Sequence, residues 1–330
     1  MLQAWLTRPA TVPTSQITGG GAIGDAECKF SRHVGDRPSF LVPSATLGMR
    51  AALAALGVRS GSEVIIPTID WPSTLAAVLS LGATPVLAPV DPETSTIDPG
   101  SLEHLRTRRT RVVVASHLHG VAADVPAIRA AIHGDIQVLE DCAQALGSTL
   151  DGVPVGMLGD AAVFSFGPTK TICVGEVGMV VARDRELWES LVRESAHPVR
   201  QWLETGEDVA FDRLSVRPHP LAAILLSESL RTWAPAALRD RNDSLRAKLW
   251  DDLGIPEFGL DERRRSAEAY VPIRLRDIWP STLAGIEVRA SGQLDLRTMQ
   301  TPMVARLGLA TELPSVSTTA NGLRDHSDGK

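Results

Sequence analysis

Cysteine is scarce in this chain of 330 residues: only Cys28, Cys142 and Cys173 are present, no two of them form a C-x-x-C pair, and three cannot all be joined in disulfides. A disulfide framework is therefore not expected, nor is a metal site, and a reducing, cytoplasmic setting fits best. Long apolar runs are missing as well. No stretch reaches the roughly 18 residues that a membrane span needs, and the opening MLQAWLTRPATVPTSQ lacks the continuous apolar segment of a secretory leader. Positive charge is not concentrated: the formal net charge is −6, and the basic runs Arg106–Arg111 and Arg263–Arg265 are short. They read as solvated faces, so neither nucleic acid nor a membrane is expected as a partner.

Two phosphate motifs fail on context. Gly19-Gly20-Gly21-Ala22-Ile23-Gly24 matches G-x-G-x-x-G, but TVPTSQIT precedes it where a dinucleotide fold needs a buried strand. The stretch is read instead as part of a flexible N-terminal arm, residues 1–30. Lys170-Thr171 has no glycine immediately before the lysine and no strand-ending glycine at P-loop spacing, which excludes a nucleoside-triphosphate cradle.

What the chain does have is alternation. Hydrophobic residues make up 44%, and from Phe40 strand signals alternate with helical ones. Strands are expected at Val64–Pro67, Thr84–Val90, Val112–His117, Ile136–Glu140, Ala161–Phe166 and Gly178–Val181. Helices are expected at Leu47–Leu56, Leu75–Leu81, Pro99–Arg106 and Val125–His133. Continuous apolar strands are covered on both faces. The fold class is therefore α/β, with a mostly parallel, doubly wound central sheet whose ligand crevice lies beyond the carboxyl ends of the strands. A charged helix is expected from Asp184 to about Glu194, then a polar passage to Asp212. Helices over Pro218–Arg231 and Ala237–Leu253 lead to a smaller, shortened C-terminal α+β domain with strands Tyr270–Leu275 and Ile286–Ala290 and a disordered tail after about Val316. The division is 1–30, 31–213 and 214–330.

Four loop features fall at the expected crevice. Ser44-Ala45-Thr46 opens a helix and is either a plain cap or an anion-binding mouth. Trp71 lies in a strand-to-helix loop, as a lid on the core or a platform for a ligand ring. Asp141 ends a core strand, where it either caps a turn or meets a donor or cation. Lys170 sits in a turn between two apolar strands. An amine, a carboxylate, an aromatic plate and a helix mouth together are what pyridoxal 5'-phosphate (PLP) requires: a lysine for its aldehyde, an aspartate for its pyridine nitrogen, an aromatic for its face and N–H groups for its phosphate.

The passages Ser44-Ala45-Thr46, Gly61–Pro67, Leu81–Val86, His117-Leu118-His119-Gly120, Glu140–Gly147, Phe164-Ser165-Phe166 with Lys170, and Gly175-Glu176 together resemble the DegT/StrS family of PLP-dependent nucleotide-sugar aminotransferases, of aspartate aminotransferase fold type I. The resemblance implies Lys170 as the Schiff-base lysine and proton carrier, and Asp141 on the pyridinium nitrogen. It implies Trp71 stacked on the ring, Ala45, Thr46 and Ser165 on the phosphate, and Gln144 near the ring hydroxyl. It also implies a homodimer in which a partner-chain asparagine reaches the phosphate; in Arg213-Leu214-Ser215-Val216-Arg217, Ser215 takes that asparagine's place. The activity implied is transfer of an amino group from glutamate or glutamine to a keto group of a nucleotide sugar or cyclitol. The alternatives are a PLP enzyme of the same fold acting on a non-sugar substrate or with an altered reaction, and a non-catalytic paralogue. A dehydratase branch of the family carries histidine in place of the lysine, and Lys170 argues against it.

Overall fold

Ile23, Ala26, Glu27 and Phe30 recur at intervals of three and four, and the computed structural model buries all of them along one helix, α1 (Gly21–Ser31). The structure describes residues 15–206, 209–253, 262–266, 270–274, 288–290 and 302–306. The flexible arm expected from the glycine run is corrected over this segment. The apolar spacing outweighs the glycines, and Phe30 packs edge-on against Phe164 and Phe166 at centroid distances of 5.0 and 5.7 Å.

Next along the chain come β1 (Ser39–Val42), α2 (Ala45–Ala55), β2 (Glu63–Pro67), α3 (Pro72–Ser80), β3 (Thr84–Ala88), β4 (Thr110–Ser116), α4 (Val125–Ala131), β5 (Gln137–Asp141), β6 (Ala161–Ser165) and β7 (Gly178–Ala182). The strands form one sheet in the order β1-β7-β6-β5-β4-β2-β3. The ladders among β2, β3, β4, β5 and β6 are parallel, and β7 runs antiparallel to both neighbours. The reversed β7 therefore begins, at Gly178, on the edge where β6 ends.

Alternate side chains cover opposite faces. Phe40, Val42, Val112, Val114, Val163 and Val180 pack with α2 and with α5 (Arg185–Ser195). On the other face Leu41, Phe164 and Met179 pack with α1 and, further along the chain, with α7 (Pro220–Arg231). Ile65, Val113 and Val138 pack on α4. The sheet is thus mostly parallel and covered on both faces, as the continuous apolar runs imply.

The polar passage before Asp212 contains a further helix, α6 (Pro198–Thr205). Hydrophobic periodicity misses it because its buried face is made of Arg200 and Gln201. Arg200 forms a two-pronged pair with Glu27 of α1 at 2.9 and 2.7 Å and lies 4.6 Å over the Phe40 ring. The expected helix Pro99–Arg106 is reduced to a 3₁₀ turn and the single helical turn Leu102–Leu105.

After α7, α8 spans Pro235–Leu253. Arg264–Arg265 pairs with Thr149–Leu150 of a small ribbon, and Tyr270–Arg274, Pro302–Arg306 and Val288–Ala290 form a separate three-stranded sheet. The expected tail after Val316 lies outside the described residues. No described helix is long and apolar enough to cross a membrane.

Candidate active site

The site is assembled where β1, β2, β4, β5 and β6 end and β7 begins. At the end of β1, Ser44 caps α2 by accepting the Leu47 amide at 3.3 Å. The Ala45 and Thr46 amides precede the first intrahelical bond and have no acceptor among the described residues. They present N–H groups at the positive end of an eleven-residue helix. Ser165 is brought beside this mouth because it pairs with Gly178 across the β6–β7 ladder, and Gly178 lies directly against Ala45. A Cβ at Gly178 would stand 2.7 Å from the Ala45 nitrogen. The Ser165 hydroxyl accepts the Gly167 amide at 3.5 Å, so its own proton remains to be donated.

Asp141 ends β5 and is 7% exposed. One carboxylate oxygen accepts the Ala143 amide at 2.9 Å, and the other faces the Thr74 hydroxyl at 3.4 Å. Burial raises its pKa, opposed by the Ala143 amide and by the Lys170 charge. Lys170 is half-buried on the turn after β6, where its amide donates to Gly167 O at 3.1 Å. Its charge is felt at both Asp141 and His119, so the amine lies on the same sheet edge as the carboxylate.

Trp71 caps α3 with its side chain 64% exposed, so the ring presents an open face and no lid over the core. Gln144 receives the His119 amide and faces the His119 ring. Ser215 stands apart. It is exposed, on the loop where Val216 bridges Ala196 and Arg213 pairs with Glu194, which in turn pairs with Arg59. Among the described residues no hydrogen bond joins Ser215 to the other predicted site residues within the protomer.

Three neighbours were not foreseen. Asp70, beside Trp71, accepts the Ser116 hydroxyl at 2.8 Å and the Trp71 amide at 2.7 Å. Burial and then the charge of Asp141 push its pKa up to about 7. Thr74 lies three residues after Trp71, in the first turn of α3. His119 belongs to the quoted His117-Leu118-His119-Gly120 passage, whose two histidines were the available signal.

Beneath the site, Glu140 is fully buried. It accepts the amides of Gly156 and Leu158 at 2.8 Å and of Gly159 at 2.5 Å, and the His117 ring at 2.9 Å. Burial would raise its pKa, but the His117 bond and these amides bring it below the usual value. His117 Nδ1 accepts the Ala123 amide at 2.9 Å, so its Nε2 carries the hydrogen given to Glu140. Cys142 adds a third ligand-type atom within 4.8 Å, but the lone pairs of Glu140 and both nitrogens of His117 are already engaged.

Residues 9–213 match the DegT/DnrJ/EryC1/StrS aminotransferase family. The chain belongs to that family. Over about half its length it is 40% identical to the L-glutamine:2-deoxy-scyllo-inosose aminotransferase of Streptomyces fradiae, across 166 residues that make up 49% of this chain and 39% of that protein. It is 37% identical to the GDP-perosamine synthase of Caulobacter vibrioides across 169 residues, 51% of this chain and 46% of that protein. The chain thus spans less than half the length of these curated relatives. In fold it is similar to a Streptococcus pneumoniae protein described as a sugar aminotransferase and solved in its PLP form. The TM-score is 0.76 at 20% identity, covering 93% of this chain and 91% of that one.

Proposed function

We propose that this member of the family is a PLP-dependent aminotransferase, moving an amino group from glutamine or glutamate to a keto group on a cyclitol or nucleotide sugar. The observation that supports the proposal is that the Lys170 charge acts on the buried Asp141 at the same sheet edge that carries the open amides of Ala45 and Thr46. The donor set fits the coenzyme: N–H groups and a hydroxyl for a phosphate, a buried carboxylate for a ring nitrogen, an exposed indole face and an amine. When bound, PLP supplies a carbonyl that condenses with amines and a ring that withdraws electrons from the attached carbon.

The chain's own residues would act as follows. The Ala45 and Thr46 amides and the Ser165 hydroxyl hold the phosphate dianion. Asp141, whose burial disfavours its own charge, gains a cationic partner when the ring nitrogen is protonated, and so keeps a proton there. Gln144 would meet the ring oxygen and Trp71 would cover one ring face. Lys170 takes a proton from one carbon at its Nζ and returns it to another, the general base and acid of the transfer.

A second copy of this chain would complete the site with Ser215. That role suits a residue that is exposed and away from the site of its own protomer. The same stretch also exposes Trp202, Leu203 and Phe211, the last 84% exposed. The division of the chain at residue 213 belongs to the same proposal.

The test is incubation of the PLP-loaded protein with L-glutamine and a keto-cyclitol, with the amine product followed by mass spectrometry. Product is expected with the wild-type protein, is lost in Lys170→Ala, whose general acid–base role is worth about a hundredfold or more, and is reduced in Asp141→Asn. Full turnover in Lys170→Ala would contradict the assignment.

A further inference from the structure

The turn after β4 contains a ring that the proposed chemistry does not use. His119 has φ 57°, the left-handed region that a non-glycine residue occupies only when its surroundings hold it there. It is 6% exposed. Its backbone amide and its ring Nδ1 meet the same atom, Gln144 Oε1, at 3.0 and 2.9 Å. A backbone N–H can only donate, so the atom it faces is the amide oxygen of Gln144, and the ring Nδ1 beside that oxygen must carry hydrogen.

Fixing the oxygen fixes the rest of Gln144. Its remaining terminal group is NH₂, a donor only, and that is what can be turned toward a bound molecule. In the same tautomer His119 Nε2 is a bare acceptor, and this atom is buried with no hydrogen-bond partner among the described residues. A buried polar atom of this kind is normally satisfied by a protein, water or ligand partner. Protonation does not resolve it. Burial first, and the nearby Lys170 charge, bring the pKa of the ring down to about 4, so the ring stays neutral and accepting at physiological pH.

We propose that His119 is a positioning residue of the coenzyme site, turning Gln144 so that its N–H faces the phenolic oxygen of the ring. The inference rests on the PLP reading of the site. It assigns direction to a contact that either end of a glutamine could make: the phenolic oxygen is held as an anion by a donor.

The first measurement uses the uniformly ¹⁵N-labelled protein without coenzyme, with its histidine ring nitrogens followed by NMR from about pH 5.5 to 8. His119 is expected to show a proton-bearing Nδ1 and a bare Nε2 throughout; a proton on Nε2 overturns the inference. The second is PLP affinity by equilibrium dialysis. Gln144→Glu keeps an oxygen for His119 but presents no donor to the crevice, and His119→Phe releases Gln144; each is expected to weaken binding about tenfold or more, the scale of one hydrogen bond to a charged group. His119→Asn, which tolerates the left-handed turn and can donate to Gln144, is expected to recover most of that loss. Unaltered affinity in both Gln144→Glu and His119→Phe overturns this inference alone. Failure of the wild-type protein to bind PLP overturns the coenzyme reading and this inference with it.

Discussion

Replacing Glu140 by glutamine exchanges one oxygen for an NH₂ and otherwise leaves the shape of the side chain intact, yet the structure has no place for that group. One oxygen accepts the amides of Leu158 and Gly159, and the other accepts the Gly156 amide and His117 Nε2. Whichever position the NH₂ takes, it faces two donors. His117 cannot relieve the conflict by changing tautomer, because its Nδ1 must stay bare to accept the Ala123 amide. Two stranded buried donors at about 1–3 kcal/mol each give about 2–6 kcal/mol, a large fraction of the about 5–15 kcal/mol that holds a typical domain together.

The pH dependence has a definite sign. The folded-state pKa of Glu140 lies below its ordinary 4.5, so its stabilisation is fully present above that value and is lost as pH falls through the lower folded value. Urea denaturation at neutral pH, followed by tryptophan fluorescence, measures the effect. Glu140→Gln should shift the midpoint strongly downward, and Glu140→Leu, which strands all four donors, further still. A glutamine variant as stable as the wild type would refute the reasoning.

Gly178→Ala would place its Cβ 2.7 Å from the Ala45 nitrogen, 2.9 Å from the Ala45 Cα and 3.0 Å from the Phe164 carbonyl oxygen, all of it backbone. A loss of about 1–3 kcal/mol in denaturation and weaker PLP binding in dialysis are expected together. Asp70, with its pKa raised from 3.8 to about 7, binds more protons folded than unfolded between those values. The coenzyme-free protein should therefore lose stability as pH rises through that window, and Asp70→Asn should flatten the profile of denaturation midpoint against pH. Glu27→Ala leaves the Arg200 guanidinium, 5% exposed, without its two-pronged partner and removes the acceptor of the Leu41 amide. A loss of about 3–5 kcal/mol in urea denaturation is expected, with Glu27→Gln retaining part of it.

The parts of the site that were legible in the sequence are those that follow directly from strand ends. Asp141 and Lys170 could be placed because continuous apolar runs mark β5 and β6, and a doubly wound sheet gathers such ends at one edge. Trp71 and the Ala45–Thr46 helix mouth follow from the same rule. The partners of these groups were not legible. The weight of Asp70 depends on its closeness to Asp141, which is 71 positions later in the chain. His119 acquires meaning from a left-handed turn and from Gln144, 25 residues away. The spacing of Ile23, Ala26 and Phe30 marks α1, but the glycines around it are turn formers and mask that period. In α6 the buried face is Arg200 and Gln201, so the hydrophobic pattern carried no signal. The helix is held by an ion pair to residue 27, and pairing over that distance is not written in local composition.

The central claim is that Lys170 is the amine that holds the coenzyme. Its most direct test is borohydride reduction of the PLP-loaded wild-type protein, followed by proteolysis and mass mapping of the peptides. One phosphopyridoxyl group per chain is expected, carried on Lys170. Attachment at another lysine, or no attachment in a protein that demonstrably binds PLP, would contradict it.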